Sequence, residues 1–290
     1  MKLSPTRLVI RLYLLALACL APQAFAQDTK SLMIVADILP VQALVTAVTG
    51  DIHTISLIIE PQDSAHDYGL RPSDARLLVN ADIVFHIGDA LTPWLGNILK
   101  GIAPRALSAP LLELPDDHDN DHGDPHAWLD PQQAMAWLAR IRDELSQLDP
   151  ENQKRYSKNA GAAISAIEHG MQAIEERSDD LSQRQWLNYH DNLSWFSSRF
   201  DIHPIDVVTD TEDAPPSAAH LASVRAHVAE GRANCVLVEQ SVSPRAIAAL
   251  DESDSLKTIA IDPLGVDLPL DRTYYPTLMS AIVDAIDACT

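Results

Sequence analysis

Four side chains that can bind a divalent metal ion come at the ends of apolar, strand-like runs of the sequence. They are His66, His126, His190 and Asp262. The first two follow runs in the first half of the chain, and the other two follow runs in the second half. In parallel α/β sheets, ligands bind just beyond the carboxyl ends of the strands. The pattern therefore predicts a binding cleft between two domains, with two candidate ligands from each.

Three imidazoles and one carboxylate are a suitable ligand set for tetrahedral zinc. Neutral imidazole also suits copper and nickel, whereas manganese prefers more carboxylate. Each ligand histidine needs a partner that fixes its tautomer, and Asp124, Asp130 and Asp191 are close in sequence. A histidine at a strand end is also commonly a structural hydrogen-bonding residue, so the pattern alone leaves both interpretations open.

The stretch 116–131, DDHDNDHGDPHAWLDP, combines aspartates with His118, His122 and His126. Such a segment is a poor core former and attracts cations. We expect His118 and His122 to form a low-affinity metal-collecting loop. The alternative is an acidic loop without a metal role.

Composition narrows the class of partner. The chain has 290 residues, 47% of them hydrophobic, and a formal net charge of −20. Phosphate binding needs clustered cations, so nucleic acid is not expected as a partner. A cationic ligand is favoured by the acidic surface, although acidity also serves simple solubility.

Residues 1–26 have the features of a secretory signal peptide: a basic start, an apolar run, and the small-residue site Ala24-Phe25-Ala26. Its removal takes away three basic residues and no acidic ones, which changes the net charge from −20 to −23. Cys19 follows Ala16-Leu17-Ala18, a weak lipoprotein signal, so a lipid anchor is the less favoured alternative. No later run reaches the ~18 apolar residues of a membrane span. We expect a soluble, exported protein.

Two cysteines remain after the signal peptide, Cys235 and Cys289. An even pair in an oxidising compartment predicts a disulfide, here closing a loop of about 55 residues. Two free buried thiols are the alternative.

Strand-like and helical runs alternate from residue 31 to the end. This alternation predicts parallel sheets with helices on both faces. A proline-free helical pattern over 151–183 interrupts it and is interpreted as a helix joining two domains. The predicted organisation is a signal peptide (1–26), an N-terminal α/β lobe (27–150), a linker helix (151–183) and a C-terminal α/β lobe (184–290).

Three segments resemble the zinc-binding solute-binding proteins of bacterial ABC importers, the cluster A-I (ZnuA-type) family. The segments are HDYGLRPSD from residue 66, DPHAWLDP from residue 124 and YHDNLSWF from residue 189. The resemblance extends over nearly all of residues 31–288. It implies two α/β lobes joined by one long rigid helix, with the metal between them.

The resemblance places the family's histidine ligands at His66, His126 and His190, and an acidic position near the metal at Asp262. Either Asp262 or water would complete the site. Manganese-binding relatives generally carry Glu at the third position, so His190 favours zinc. One departure is Ala65, where some zinc-binding members carry Glu.

The expected function is a periplasmic, monomeric protein that captures Zn²⁺ and delivers it to an ABC permease without covalent chemistry. A manganese-binding member of the same family is the nearest alternative. A zinc hydrolase is a more distant one, because the sequence has no HExxH motif and no Glu at short spacing beside a ligand.

Overall fold

Each half of the chain builds its own four-stranded parallel sheet. The computed structural model describes residues 31–65, 68–112, 123–209, 215–251 and 256–289. The first sheet has the order β2-β1-β3-β4 and contains β1 Ile34–Ala36, β2 Ile55–Leu57, β3 Ile83–His86 and β4 Leu107–Pro110. The second has the order β6-β5-β7-β8 and contains β5 Trp186–His190, β6 Asp206–Thr209, β7 Cys235–Val238 and β8 Lys257–Ala260. The predicted α/β class with two parallel-sheet lobes is confirmed.

Helices connect the strands, as parallel pairing requires. In the first half they are α1 Leu39–Thr49, α2 Pro72–Asn80, α3 Leu95–Ile102 and α4 Pro131–Leu148. In the second half they are α5 Gln153–Glu175, α6 Ser178–Leu181, α7 Ser194–Phe200, α8 Ala218–Ala229, α9 Pro244–Ala248 and α10 Tyr274–Asp287. Short 3₁₀ turns occupy Ala127–Leu129 and Pro150–Asn152.

Local sequence explains where several helices begin. Pro131 opens α4 at a position where no backbone N–H is needed, and the Asp130 side chain accepts the N–H of Gln132 as the cap. Ser217 caps α8 in the same way through the N–H of His220. These start signals are local, which is why the sequence predicts both helix starts well.

The helix α5 is shorter than the helical pattern predicted over 151–183. A 3₁₀ turn precedes α5, and α5 ends at Glu175, so its 23 residues span about 35 Å. The polar run 175–180, EERSDD, separates Ile174 from the next buried apolar residue, Leu181. In this run Arg177 forms ion pairs with Asp284 and Asp287 of α10, and the short helix α6 follows.

One hydrophobic core runs through both halves of the molecule. Residues 32–290 form one compact unit, and a single buried cluster includes side chains from both sheets. The last helix, α10, packs on both α1 and α5. A smaller cluster lies on the outer side of the second sheet, around Leu187, Val224 and Val236.

The predicted disulfide between Cys235 and Cys289 is confirmed, with a Cα–Cα distance of 5.6 Å. It joins the first residue of β7 to the chain just after α10. Among the described residues, no helix combines the length and apolarity that crossing a bilayer would need.

Candidate metal centre

Three of the four predicted ligands line the same cavity. His126, His190 and Asp262 surround a cleft of about 690 Å³ at the carboxyl ends of the two sheets. The fourth predicted ligand, His66, lies outside the described residues, as do His118 and His122 of the acidic loop. Within the described ranges, no three His, Cys, Asp or Glu side chains are grouped closely enough to hold a metal ion.

His126 and His190 face each other at a distance that suits a shared zinc ion. Both are buried, and their ring centroids are 5.0 Å apart with the planes 80° to one another. With Zn–N near 2.0–2.1 Å, a ligand ring centroid lies about 3.2 Å from the metal. Two such rings at a tetrahedral angle would have centroids about 5.2 Å apart. The observed spacing agrees with that value.

Asp124 holds His126 from within the same loop. Its Oδ1 accepts the backbone N–H of His126 at 2.9 Å and also lies 2.7 Å from His126 Nδ1. An aspartate that bonds the amide two residues on forms an Asx turn, which the Asp-Pro-His order favours. The Trp128 ring packs edge-on against the imidazole at 5.2 Å.

Glu239 holds His190 from the neighbouring strand. His190 is the last residue of β5, and its Nδ1 lies 3.0 Å from Glu239 Oε1. The same oxygen accepts a hydrogen bond from the Asn192 side chain. Glu239 was not among the predicted site residues. The available signal was that β7 ends at residue 238, so that Glu239 follows a strand as the other candidates do.

Asp262 lies in a tight loop two residues after the end of β8. Its Oδ1 accepts the N–H groups of Leu264 and Gly265, and its Oδ2 accepts that of Val266, at 2.6–3.1 Å. Gly265 has φ +62°, and a Cβ there would come within 3.0–3.2 Å of Leu268 and Tyr274. The loop thus requires glycine and presents the carboxylate in one fixed orientation.

Tyr274 closes this loop from the side of α10 by donating a hydrogen bond from its hydroxyl to the backbone oxygen of Leu264. Burial, and secondly the charge of Asp262, raise the pKa of Tyr274. The phenol therefore keeps the proton that it donates.

The segment 124–130, which carries His126, is hydrogen-bonded to the second half of the chain at several points. Trp195 Nε1 donates to Asp124 O, Trp128 Nε1 donates to Pro263 O, and Tyr275 donates its hydroxyl hydrogen to Trp128 O, at 2.7–3.0 Å. Arg199 binds Asp130 through two bonds of 2.8 and 2.7 Å. His126 is therefore positioned relative to His190 by direct contacts and not only by its own sheet.

The cleft has an acidic lining. Its described carboxylates are Glu60, Asp63, Glu239, Asp262 and Asp267, and its described lining includes neither lysine nor arginine. Because a cleft with low-dielectric walls focuses the field of its charges, this lining favours a cation.

The remaining described histidines have contacts elsewhere in the structure. His86, for example, has Nε2 2.9 Å from Ser108 Oγ, and burial lowers the pKa of His86 to about 4. The others and their neighbours are His53 with Tyr156, His169 with Ser165, His203 with Asp201, His220 with Val207 and His227 with Asp206.

Two parallel-sheet lobes with a cleft at the carboxyl ends of their strands are the architecture of the two-lobed solute-binding class. Residues 34–289 match the family described as zinc-uptake complex component A, periplasmic. The chain belongs to this family, and the resemblance predicted from its sequence segments is confirmed.

Individual relatives agree with this assignment. The chain is similar to the high-affinity zinc uptake system protein ZnuA of Paracoccus denitrificans (strain Pd 1222), with 28% identity over 94% of this chain and 96% of the relative. It is also similar to the protein of that name from Yersinia pestis, with 25% identity over 95% of this chain and 96% of the relative. A solved structure of a zinc-bound ZnuA 138–173 deletion mutant superposes with a TM-score of 0.77 at 23% identity, covering 90% of this chain and 98% of the other. At that identity, the structural match shows the shared fold.

Proposed function

We propose that this protein captures Zn²⁺ with His66, His126 and His190, together with Asp262 or a water molecule, and delivers the ion to an ABC permease. The observation that carries the proposal is the 5.0 Å separation of two buried imidazoles in an acidic cleft. The family to which the chain belongs supports zinc as the ion and import as the process.

The partners of the two described histidines indicate which nitrogen binds the ion. In both, Nδ1 faces a carboxylate, Asp124 for His126 and Glu239 for His190. Nε2 on the far side of each ring is then the nitrogen that binds zinc, in the neutral form that coordination requires. Protons compete with zinc for these nitrogens, so zinc affinity should fall as the pH is lowered from neutral.

Zinc is favoured over manganese by the chemistry of the ligands. Manganese prefers oxygen ligands, and imidazole suits zinc. The third ligand position is His190, and the nearby Glu239 carboxylate is held by both His190 and Asn192. Asp262 is the oxygen ligand that the sequence predicts, and its two oxygens already accept three backbone N–H groups.

Residues 1–26 direct export in this proposal, and the mature chain acts in the periplasm as a monomer. No catalytic step is assigned to it. Binding and release of the ion are the whole of its chemistry, and His118 and His122 collect zinc at low affinity.

Metal analysis of protein purified without chelator tests the proposal, with one equivalent of zinc expected and manganese at trace level.

Replacing His66, His126 or His190 individually by alanine should weaken zinc binding by at least ~100-fold, because each substitution removes a direct ligand. His203→Ala is the matched control, since His203 contacts Asp201 and is not among the residues that line the cleft. Unchanged zinc affinity in the His126 and His190 variants would refute the ligand set.

Asp262→Ala decides the fourth ligand. If the carboxylate binds zinc, affinity should fall about as far as in the histidine variants. A loss of ~10-fold or less would assign that place to water.

A further inference from the structure

The contact between Glu239 and His190 joins residues that are far apart in the chain, whereas the contact between Asp124 and His126 joins near neighbours. Asp124 is two residues from its histidine, so the two move as one loop. Glu239 is 49 residues from His190 and reaches it across the sheet. The β5–β7 register pairs Asn188 with Leu237, so His190 and Glu239 come side by side where the two strands end.

The position of the Glu239 carboxylate is therefore set by β7, the strand that it follows. β7 lies between β5 and β8 and is fully buried, which leaves little freedom to the residue that follows it. Asn192 donates a second hydrogen bond to the same carboxylate oxygen and also accepts one from Asn188 at 3.2 Å. His190 and Asn192 thus contact the same oxygen of Glu239, and Asn188 orients the amide of Asn192.

We propose that Glu239 is a positioning residue for zinc capture, which holds His190 in the Nδ1–H tautomer with Nε2 directed into the cleft. This inference rests on the proposed function, because it takes His190 to be a ligand. A carboxylate that accepts the Nδ1 hydrogen fixes the ring orientation and makes Nε2 a stronger donor to the metal. Without it, either tautomer of His190 could form, and the wrong one would have to convert before zinc could bind.

A purely structural role would give a different pattern of effects. A residue that only supports the fold would change the melting temperature of the zinc-free protein and leave the tautomer of His190 as it was. A residue that acts only by its charge would be replaceable by any other carboxylate in the cleft. Asp267 provides that comparison, since it lines the same cleft and is exposed, whereas Glu239 contacts Nδ1 of His190.

The test compares full-length mature Glu239→Ala, Glu239→Gln and Asp267→Asn with the wild type and with His190→Ala. Zinc affinity is measured by competition with a chromophoric chelator, and the His190 tautomer by long-range ¹H–¹⁵N spectra of the zinc-free protein at pH 8. Glu239→Ala should bind zinc about 10–100-fold more weakly and show mixed tautomers. Glu239→Gln, whose amide oxygen can still accept the Nδ1 hydrogen, should recover most of the affinity. Asp267→Asn, which removes one charge from the cleft lining, should weaken zinc binding by less than Glu239→Ala and leave His190 in the Nδ1–H form.

Two results would overturn the inference: zinc affinity of Glu239→Ala within ~2-fold of wild type, or His190 remaining in the Nδ1–H form in that variant. His190→Ala separates this from failure of the proposed ligand set. If His190→Ala binds zinc normally, the ligand set itself is wrong. If it loses affinity while Glu239→Ala does not, only the role of Glu239 is wrong. Should Glu239→Ala not fold, Glu239→Asp decides by the same two readouts, because it keeps the charge but withdraws the carboxylate from Nδ1.

Discussion

At the scale of single residues, the described part of the cleft contains two similar pairs, each made of an imidazole and a carboxylate. His126 is paired with Asp124 and His190 with Glu239. Each pair directs one ring nitrogen to a carboxylate and the other to the opposite side of the ring. This repeated arrangement explains how two histidines from different sheets can present the same kind of nitrogen to one ion.

Asp37 is a buried carboxyl group that takes no part in this arrangement. It follows β1, is 0% exposed, and accepts the backbone N–H groups of Ile38 and Ile87 at 2.8 and 2.7 Å. Burial outweighs these hydrogen bonds and raises the pKa of Asp37 to about 7. The folded state therefore binds this proton more tightly than the unfolded chain, whose carboxyl has its ordinary value near 3.8.

We predict that Asp37 makes the protein less stable as the pH rises from about 4 to about 7. In this window the folded state keeps a proton that the unfolded chain has lost, so the free energy of unfolding decreases with pH. Asp37→Asn cannot ionise, so the stability advantage of wild type over this variant should shrink between pH 5 and pH 8. Urea denaturation of both zinc-free proteins at several pH values measures it. A constant difference across that range would contradict the assigned pKa.

At the scale of elements, the segment 124–130, which precedes α4, is hydrogen-bonded to the second half of the chain. It contains His126, caps α4 through Asp130, and receives hydrogen bonds from Trp195 and Arg199 of α7. Asp130 is 2% exposed and Arg199 is about one-third exposed, so their ion pair is largely shielded from water on the carboxylate side.

Arg199→Ala should destabilise the protein by about 2 kcal/mol. It leaves the Asp130 charge buried with only its capping bond, although the exposure of the guanidinium reduces the cost below that of a fully buried pair. Arg142→Ala is a matched control, because Arg142 binds the exposed Asp143, and its effect should stay within ~0.5 kcal/mol. Urea denaturation measures both. Equal effects of the two substitutions would show that the Arg199 contact adds no more than a surface pair.

The disulfide is a second contact between elements, and it lies at the opposite end of β7 from Glu239. Cys235 begins β7, whereas Glu239 follows the end of that strand. Its sequence separation of 54 residues corresponds to about 4 kcal/mol in the chain-entropy description of the unfolded state.

Removing the disulfide should therefore lower stability without changing zinc affinity. We expect the Cys235→Ala/Cys289→Ala variant to lose about 2–4 kcal/mol in urea denaturation and to bind zinc within ~2-fold of wild type. Reduced wild-type protein is the control for lost side-chain volume. A large loss of zinc affinity in a variant that is still folded would show that the disulfide at one end of β7 is coupled to the cleft at the other end.

At the scale of the whole molecule, the two sheets share one buried cluster, and α10 packs on helices α1 and α5. Separating the halves would expose part of this core. Because burial of apolar area contributes roughly 25 cal/mol per Å², the shared core opposes a wide opening. Local movement of a ligand loop is therefore favoured over hinge closure.

Small-angle scattering of zinc-free and zinc-loaded protein tests this rigidity. The radius of gyration should differ by less than about 1 Å, as expected for a preorganised binding protein. A chelator-treated sample to which zinc has been restored serves as the control for irreversible change. A larger decrease on zinc binding would indicate domain closure and would contradict the shared-core argument.

Much of this architecture is readable from the chain because its signals are local. The strand–helix alternation predicts two parallel sheets, and caps such as Asp130 and Ser217 mark helix starts. The family segments identify the zinc-uptake family, and the cysteine pair predicts the disulfide; both predictions are confirmed. The ligand assignment of His66, His126, His190 and Asp262 stays a prediction, with His66 outside the described residues. The boundaries of the lobes stay predictions as well.

The sequence by itself determined the kinds of side chain available and their places at strand ends, because periodicity and capping depend on near neighbours. Only the tertiary structure decided that α5 ends at Glu175, that Arg199 binds Asp130, and that Glu239 stands beside His190. Those features depend on strand order, register and packing between residues that are far apart in the chain. No local pattern encodes such contacts, since each becomes defined only when the sheets and the shared core have formed.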